Sequence, residues 1–235
     1  MKTFIIHVST ALDREQHMKA QIQGKDLEAV FINEGDMQDL SDEVLAQYFT
    51  GIEMKRVMAW TSCAYKHFLA LEQVVKNKLP IALIFEDDAI LGKRFEEVLQ
   101  KVVAEIERDK LQNFIISLED SGLRFVKGSE RSKNKHVYKK NRMRGTGAYL
   151  VDLQGATALL NIVATEKCHR PVDCFIEGCT AIDKVNIYWT HPTVVSQGSY
   201  FGSLNPLIGY RPVGKARIWS VKFKRWYKIL MSNFK

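Results

Sequence analysis

The sequence predicts an α/β fold: one Rossmann-type domain around a mostly parallel central sheet, followed by a basic amphipathic helix. Three observations carry this. Short apolar runs alternate with amphipathic stretches of helical period along most of the 235 residues, the pattern of βαβ units. Two of those runs, Ile81 to Phe85 and Phe114 to Leu118, are apolar without alternation, as strands buried on both faces are. Each then delivers carboxylates, Glu86-Asp87-Asp88 and Glu119-Asp120, to one point of the chain.

A chain of this length fits one domain with an appendage and is ample for a large core. Residues 1–210 are expected to form the domain and 211–235 a separate tail. No apolar stretch approaches the ~20 residues that span a bilayer. The N-terminal apolar piece is short and reads as a first strand rather than a leader, so a cytoplasmic protein is the default expectation. Cys63, Cys168, Cys174 and Cys179 show no Cys-x-x-Cys spacing and read as reduced, mostly buried thiols. Residues 211–235 hold eight of the 34 basic residues and no acid, which leaves 26 bases against 27 acids elsewhere. A neutral body with a basic tail argues against a general nucleic-acid-binding surface.

In chain order, Phe4 to Val8 is a strand. It turns at Ser9 to Asp13 into a helix carrying Arg14, His17 and Lys19. That turn lies where doubly wound sheets bind nucleotides, so Arg14 can meet a phosphate or simply sit on a solvated helix face. Leu27 to Ile32 is a second strand, and Ser41-Asp42-Glu43 starts a helix with a cap residue and first-turn acids. From Lys55 to Lys76 a long helix is expected. Val57, Trp60, Ala64, Phe68, Leu71 and Val75 form its buried stripe, and His67 is a half-buried, hydrogen-bonded residue.

The chain from Pro80 to Leu91 is the informative stretch. Three carboxylates at the end of a buried strand repel one another and lose solvation unless a cation compensates. Oxygen ligands of this kind suit Mg²⁺ or Mn²⁺. The plainer reading is a helix cap with first-turn acids.

A helix from Lys93 to Arg108 and the strand Asn113 to Leu118 follow. Residues 124–144 hold nine basic residues and one acid, either a solvated hairpin around His136 to Tyr138 or a basic lid over an anionic substrate. Gly145 to Val151 is a strand entered through glycines, Gln154 to Ala164 a helix, and Arg170-Pro171-Val172-Asp173 opens another. Asn186 to Trp189 is a strand, followed by His191-Pro192, and residues 198–216 are loop. From Trp219 to Phe234 aromatic residues recur on one side of a helix with cations mostly elsewhere. This pattern suits an anionic membrane surface or a terminal helix docked on the body or on a second subunit.

Five motifs in order resemble glycosyltransferase family 25, the bacterial lipooligosaccharide galactosyltransferases: Ser9 to Arg14; Cys63-Ala64-Tyr65-Lys66-His67; Glu86-Asp87-Asp88; Gly145-Thr146-Gly147-Ala148-Tyr149; and Pro171-Val172-Asp173. The match runs over about residues 3–200. Lys66 departs from the family's serine, and Gly147-Ala148 is shifted against its small-residue pair. The resemblance implies a GT-A-like domain, a UDP-sugar donor such as UDP-galactose, Mn²⁺ or Mg²⁺, inversion at the sugar carbon and a lipooligosaccharide acceptor. It implies an enzyme on the inner face of the cytoplasmic membrane. It also implies Asp88 as metal ligand, Glu86 and Asp87 supporting the ribose or the metal's waters, and Thr10 and Arg14 facing the nucleotide. Direct displacement needs a carboxylate base, for which Asp173 and Glu119 are the candidates. His191 is a further candidate metal ligand, although a His-Pro at a strand end is commonly structural.

Overall fold

The structure, a computed structural model, describes residues 1–181, 184–207 and 214–234. Strands β1 (Lys2–Ile6), β2 (Glu28–Ile32), β3 (Ile81–Glu86), β5 (Phe114–Ser117), β6 (Val137–Lys140), β7 (Ala148–Asp152) and β8 (Asn186–Thr190) form one sheet in the order β2-β1-β3-β7-β5-β8-β6. The pairings β1–β2, β1–β3 and β5–β8 are parallel, while β7 runs against both β3 and β5, and β6 runs against β8. Five strands therefore point one way and two the other, a mostly parallel sheet. A second, two-stranded sheet pairs β4 (Ala89–Leu91) with β9 (Val195–Gln197).

Side-chain alternation divides the core into two layers. Phe4, Ile6, Ala82, Ile84, Ile115, Tyr149 and Val151 face one cluster, with Phe68 and Leu71 of α3 (Ala59–Lys76) and Leu159 of α5 (Leu153–Glu166). Ile5, Leu83, Phe85, Ile116, Ala148 and Leu150 face the other. Met18 of α1 (Leu12–Ile22) and Val98, Val102 and Ile106 of α4 (Phe95–Asp109) complete it. The continuous apolar runs are thus strands covered on both faces, as expected of central strands. Helices α2 (Asp42–Tyr48) and α6 (Val172–Ala181) sit on the α3/α5 side.

Two expectations are corrected. The long helix begins at Ala59, not Lys55, and Val57 and Trp60, read into its buried stripe, are exposed. The stretch read as loop from residue 198 opens with a one-turn helix, α7 (Gly198–Phe201). The expected domain boundary at 210/211 lies outside the described residues.

Helix α8 (Lys215–Asn233) docks on the body through the stripe Ile218, Val221, Arg225, Ile229 and Ser232, all at least half-buried. Arg225 pairs with the buried Asp120 at 2.6 Å and lies over the Phe201 ring. Trp219, Phe223, Trp226, Tyr227 and Phe234 remain exposed. Among the described residues no helix is long and apolar enough to cross a membrane.

Candidate active site

Because β1, β2, β3 and β5 run the same way, their carboxyl ends share one edge of the sheet. Residues 7–14, 33–38 and 86–88 meet at that edge, which is where open α/β sheets bind ligands. From these segments His7, Val8, Thr10, Arg14, residues 36–38 and residues 86–88 line a cleft of about 380 Å³ with Cys63, Lys66, Gln197 and Ser199, within the range of small-molecule sites.

The three acids after β3 do three different things. Asp87 is a structural hub: its carboxylate accepts from His7 Nδ1 at 3.0 Å, from the Val8 amide at 3.4 Å and from Arg14 at 2.9 Å. Arg14, itself buried, also donates to the Asn205 carbonyl, tying α1 to the segment after α7. Glu86, half-exposed, accepts from Thr146 Oγ1 at 2.7 Å and from Gln197 Nε2 at 3.0 Å. Asp88 is buried. Its Oδ2 accepts from the Ser199 amide at 3.2 Å and from the Ser199 hydroxyl, and its Oδ1 has no hydrogen-bond partner. Burial, and then the charge of Glu86, push the Asp88 carboxyl up to about 6.

A buried, unpartnered carboxylate oxygen next to a second carboxylate is an arrangement that calls for a compensating positive charge. The donor set of Glu86 and Asp88 is all oxygen and fits a hard divalent cation. Both line the cleft, so these two residues are the ones that would hold it.

The cleft wall formed by residues 36–38 is built on a second buried ion pair. Asp36 accepts from the Ser9 amide at 3.1 Å and from the Ser9 hydroxyl, and pairs with Lys66 at 3.0 Å. Lys66 also donates to the carbonyls of Ile32, Asn33 and Glu34 at 3.2, 3.1 and 2.8 Å. Burial raises the Asp36 carboxyl, but the Ser9 and Lys66 hydrogen bonds outweigh it and hold the group below its usual range. The departure at Lys66 is therefore an internal brace of the cleft wall. Thr10 is exposed at the cleft mouth.

Glu119, a candidate base, is fully buried and does not line the cleft. It accepts from the Gly147 amide at 2.7 Å and from the Ser121 hydroxyl. Burial raises its carboxyl to about 8, assisted by Glu86 and Asp88. A Cβ on Gly145, whose φ is +136°, would stand 2.8 Å from Glu119 Oε1, so this close approach requires glycine. Asp173, in the first turn of α6, is half-exposed, and its charge reaches the Cys63 thiol on the cleft wall.

His191 lies just past β8, three strand positions from β3, about 14 Å at the usual strand spacing. Its surroundings are cationic: burial, then Arg131, Arg144 and His136, lower its pKa to about 4. His191 thus stands among cations and outside the residues that line the cleft with Asp88.

Ser199 and Gln197, which hold Asp88 and Glu86, carry no local signal in the sequence. The loop Asn33 to Asp36 was visible, but only tertiary structure assigns Asp36 to Lys66.

Residues 1–176 match the profile described as Glycosyltransferase family 25 (LPS biosynthesis protein). The chain belongs to this family. It is 25% identical over 187 residues to procollagen galactosyltransferase 1-A of Xenopus laevis, covering 74% of this chain and 30% of that protein. It is also 25% identical over 122 residues to the lacto-N-neotetraose biosynthesis glycosyltransferase LgtE of Neisseria meningitidis serogroup B, covering 51% of this chain and 44% of LgtE. The human inactive glycosyltransferase 25 family member 3 is 26% identical over 188 residues, which cover 74% of this chain and 31% of that protein. The chain thus spans under half the length of each of these three relatives. Family membership makes it a transferase by class and places the five motifs in a family context.

Proposed function

We propose that the chain is a metal-dependent, inverting glycosyltransferase that moves a hexose, galactose from UDP-galactose, onto a sugar of a lipooligosaccharide acceptor. The observation that carries the reading is the pair Glu86 and Asp88 at the cleft, one carboxylate oxygen buried without a partner. In a GT-A-like arrangement the nucleotide lies along the edge between Thr10 and Asp36, braced by Lys66, with Arg14 beneath it. Mn²⁺ or Mg²⁺ held by Glu86 and Asp88 would supply charge neutralisation to the leaving diphosphate.

Asp173 is the better supported base. It is half-exposed and its charge reaches the Cys63 thiol of the cleft wall, whereas Glu119 is sealed in the protein and held uncharged at neutral pH by burial. In the step, the Asp173 carboxylate takes the proton of the acceptor hydroxyl. That oxygen forms the new bond to the anomeric carbon from the opposite face as the bond to the β-phosphate oxygen breaks, and UDP leaves with the electron pair. Incubation with UDP-galactose, Mn²⁺ and a lactose- or glucosamine-type acceptor should release UDP, and Asp173→Asn should abolish release. A panel of UDP-glucose and UDP-N-acetylhexosamines identifies the donor. Full turnover by Asp173→Asn would remove it as base, and absence of UDP release with every donor would favour a non-catalytic family member.

The tail supports work at an anionic membrane surface, on the inner face of the cytoplasmic membrane. At ~100° per residue the exposed aromatic stripe lies roughly opposite the docked stripe of α8. Lys222 flanks it on one side and Arg217, Lys224 and Lys228 on the other. Apolar rings bordered by cations suit an anionic interface, where each cation contributes roughly 1 kcal/mol. Trp219→Ser with Phe223→Ser should release the protein from phosphatidylglycerol-containing vesicles, and unchanged binding would refute the assignment.

A further inference from the structure

The buried end of α3 holds a group of donors that the sugar-transfer reading does not use. Cys63 and His67 are one helical turn apart, so their side chains share a face. Opposite them stands Glu86 at the end of β3. A cysteine sulfur, an imidazole nitrogen and a carboxylate oxygen from these three residues all lie within 4.8 Å of one another.

The histidine gives the second, independent observation. Its ring is fully buried. Nδ1 meets the Tyr149 hydroxyl at 3.0 Å, which fixes the ring plane. Nε2 has no hydrogen-bond partner and is aimed at Glu86, 3.5 Å from Oε1. An imidazole held by one nitrogen with the other left bare toward a thiol and a carboxylate is how metal-binding histidines are oriented. Burial, and then the carboxylates of Glu86, Asp87, Asp173 and Asp88, hold the Cys63 thiol well above its ordinary value, a field that draws a cation to the sulfur.

We propose that Cys63, His67 and Glu86 form a site for a thiophilic divalent cation of the zinc class. Donors 2.0–2.3 Å from such an ion stand roughly 3.5 Å apart in a tetrahedron, so a shift of about an ångström closes the set. Three protein ligands leave the fourth position open. Cys63 and Glu86 both line the cleft, so that position faces the substrate space. Binding transfers the Cys63 thiol proton to solvent and involves no redox change. A soft sulfur and an imidazole select against Mg²⁺, which the all-oxygen pair Glu86 and Asp88 suits. Because Glu86 is shared, a zinc-class ion here competes with a hard cation at Asp88.

The test uses Co²⁺ as a spectroscopic stand-in, added to the full chain without sugar donor or other metal. The expected result is one equivalent of Co²⁺ bound with a thiolate-to-cobalt charge-transfer band that Zn²⁺ abolishes. Cys63→Ser and Cys63→Ala should each lose the band and weaken binding more than about 100-fold, beyond the 10–100-fold of an outer-shell partner. Cys174→Ser, which alters the exposed cysteine, and Asp88→Asn should keep the band. Circular dichroism confirms that each variant is folded. A band that survives in both Cys63 variants, or no band at millimolar Co²⁺, overturns the proposal. The measurement is separate from sugar transfer: protein that shows the band yet releases no UDP keeps this site and loses the enzymatic reading.

Discussion

Replacing Lys66 with methionine keeps the length of the side chain and removes its charge. In the folded protein that ammonium is almost fully buried, paired with a buried carboxylate and donating to three carbonyls at the end of β2. Removing one partner of a buried pair leaves the other charge without compensation, at about 3–5 kcal/mol. For a chain of this size each kcal/mol lowers Tm by about 2–4 °C, so Lys66→Met should melt about 6–20 °C below the parent in calorimetry. Asp36→Asn in the same chain removes the stranded charge, and the double variant should be more stable than the two single losses added together, by about 0.5–3 kcal/mol. The deficit also shrinks in acid. Asp36 is held below its ordinary value of 3.8 in the parent, so the pair's contribution is present above that pH and is lost as pH falls through the lower folded value. A loss below about 1 kcal/mol at pH 7, or simple additivity in the double variant, would refute the brace.

Three further outcomes follow from the geometry. Glu119→Gln should keep most of the turnover, because Glu119 lies outside the cleft. It should also gain stability over the parent as pH rises. A carboxyl whose value is raised from 4.5 to about 8 stabilises the fold fully below 4.5 and loses that contribution as pH climbs through 8, on the order of 5 kcal/mol at ~1.4 kcal/mol per unit. Urea unfolding at pH 5 and pH 8 measures the difference, and parallel pH curves for the two proteins would contradict it. Arg225→Ala strands the buried Asp120 carboxylate and should cost about 2–3 kcal/mol, less than a fully buried pair because Arg225 is partly exposed. An unchanged melting temperature would show that α8 is not held there.

How much of this was legible depends on the range of the interaction. Ile81 to Phe85 could be read as a two-faced strand because both cores claim alternate residues of it. Gly145 to Val151 read correctly as a strand, but its reversal between β3 and β5 is a matter of topology that no local pattern encodes. The β4–β9 pair was missed because three-residue strands carry almost no period. Asp87 and Asp88 look equivalent in sequence. They separate only when Arg14 and His7 arrive from 73 and 80 residues away and Ser199 from 111. The aromatic stripe of α8 was legible as a stripe, but periodicity cannot say which stripe faces the body. The weaker one, centred on Arg225, docks because a buried aspartate waits for it.

The central claim is that Glu86 and Asp88 hold a divalent cation that in turn holds a nucleotide diphosphate. The most direct test is thermal stability with UDP, with and without Mn²⁺, in the parent and in Asp88→Asn. The amide keeps an oxygen for Ser199 while removing the charge. UDP at 100 times its Kd stabilises by about 2.7 kcal/mol, and the account predicts a shift of about 5–11 °C that requires Mn²⁺ and vanishes in Asp88→Asn. An equal UDP shift without metal, or in Asp88→Asn, would contradict it.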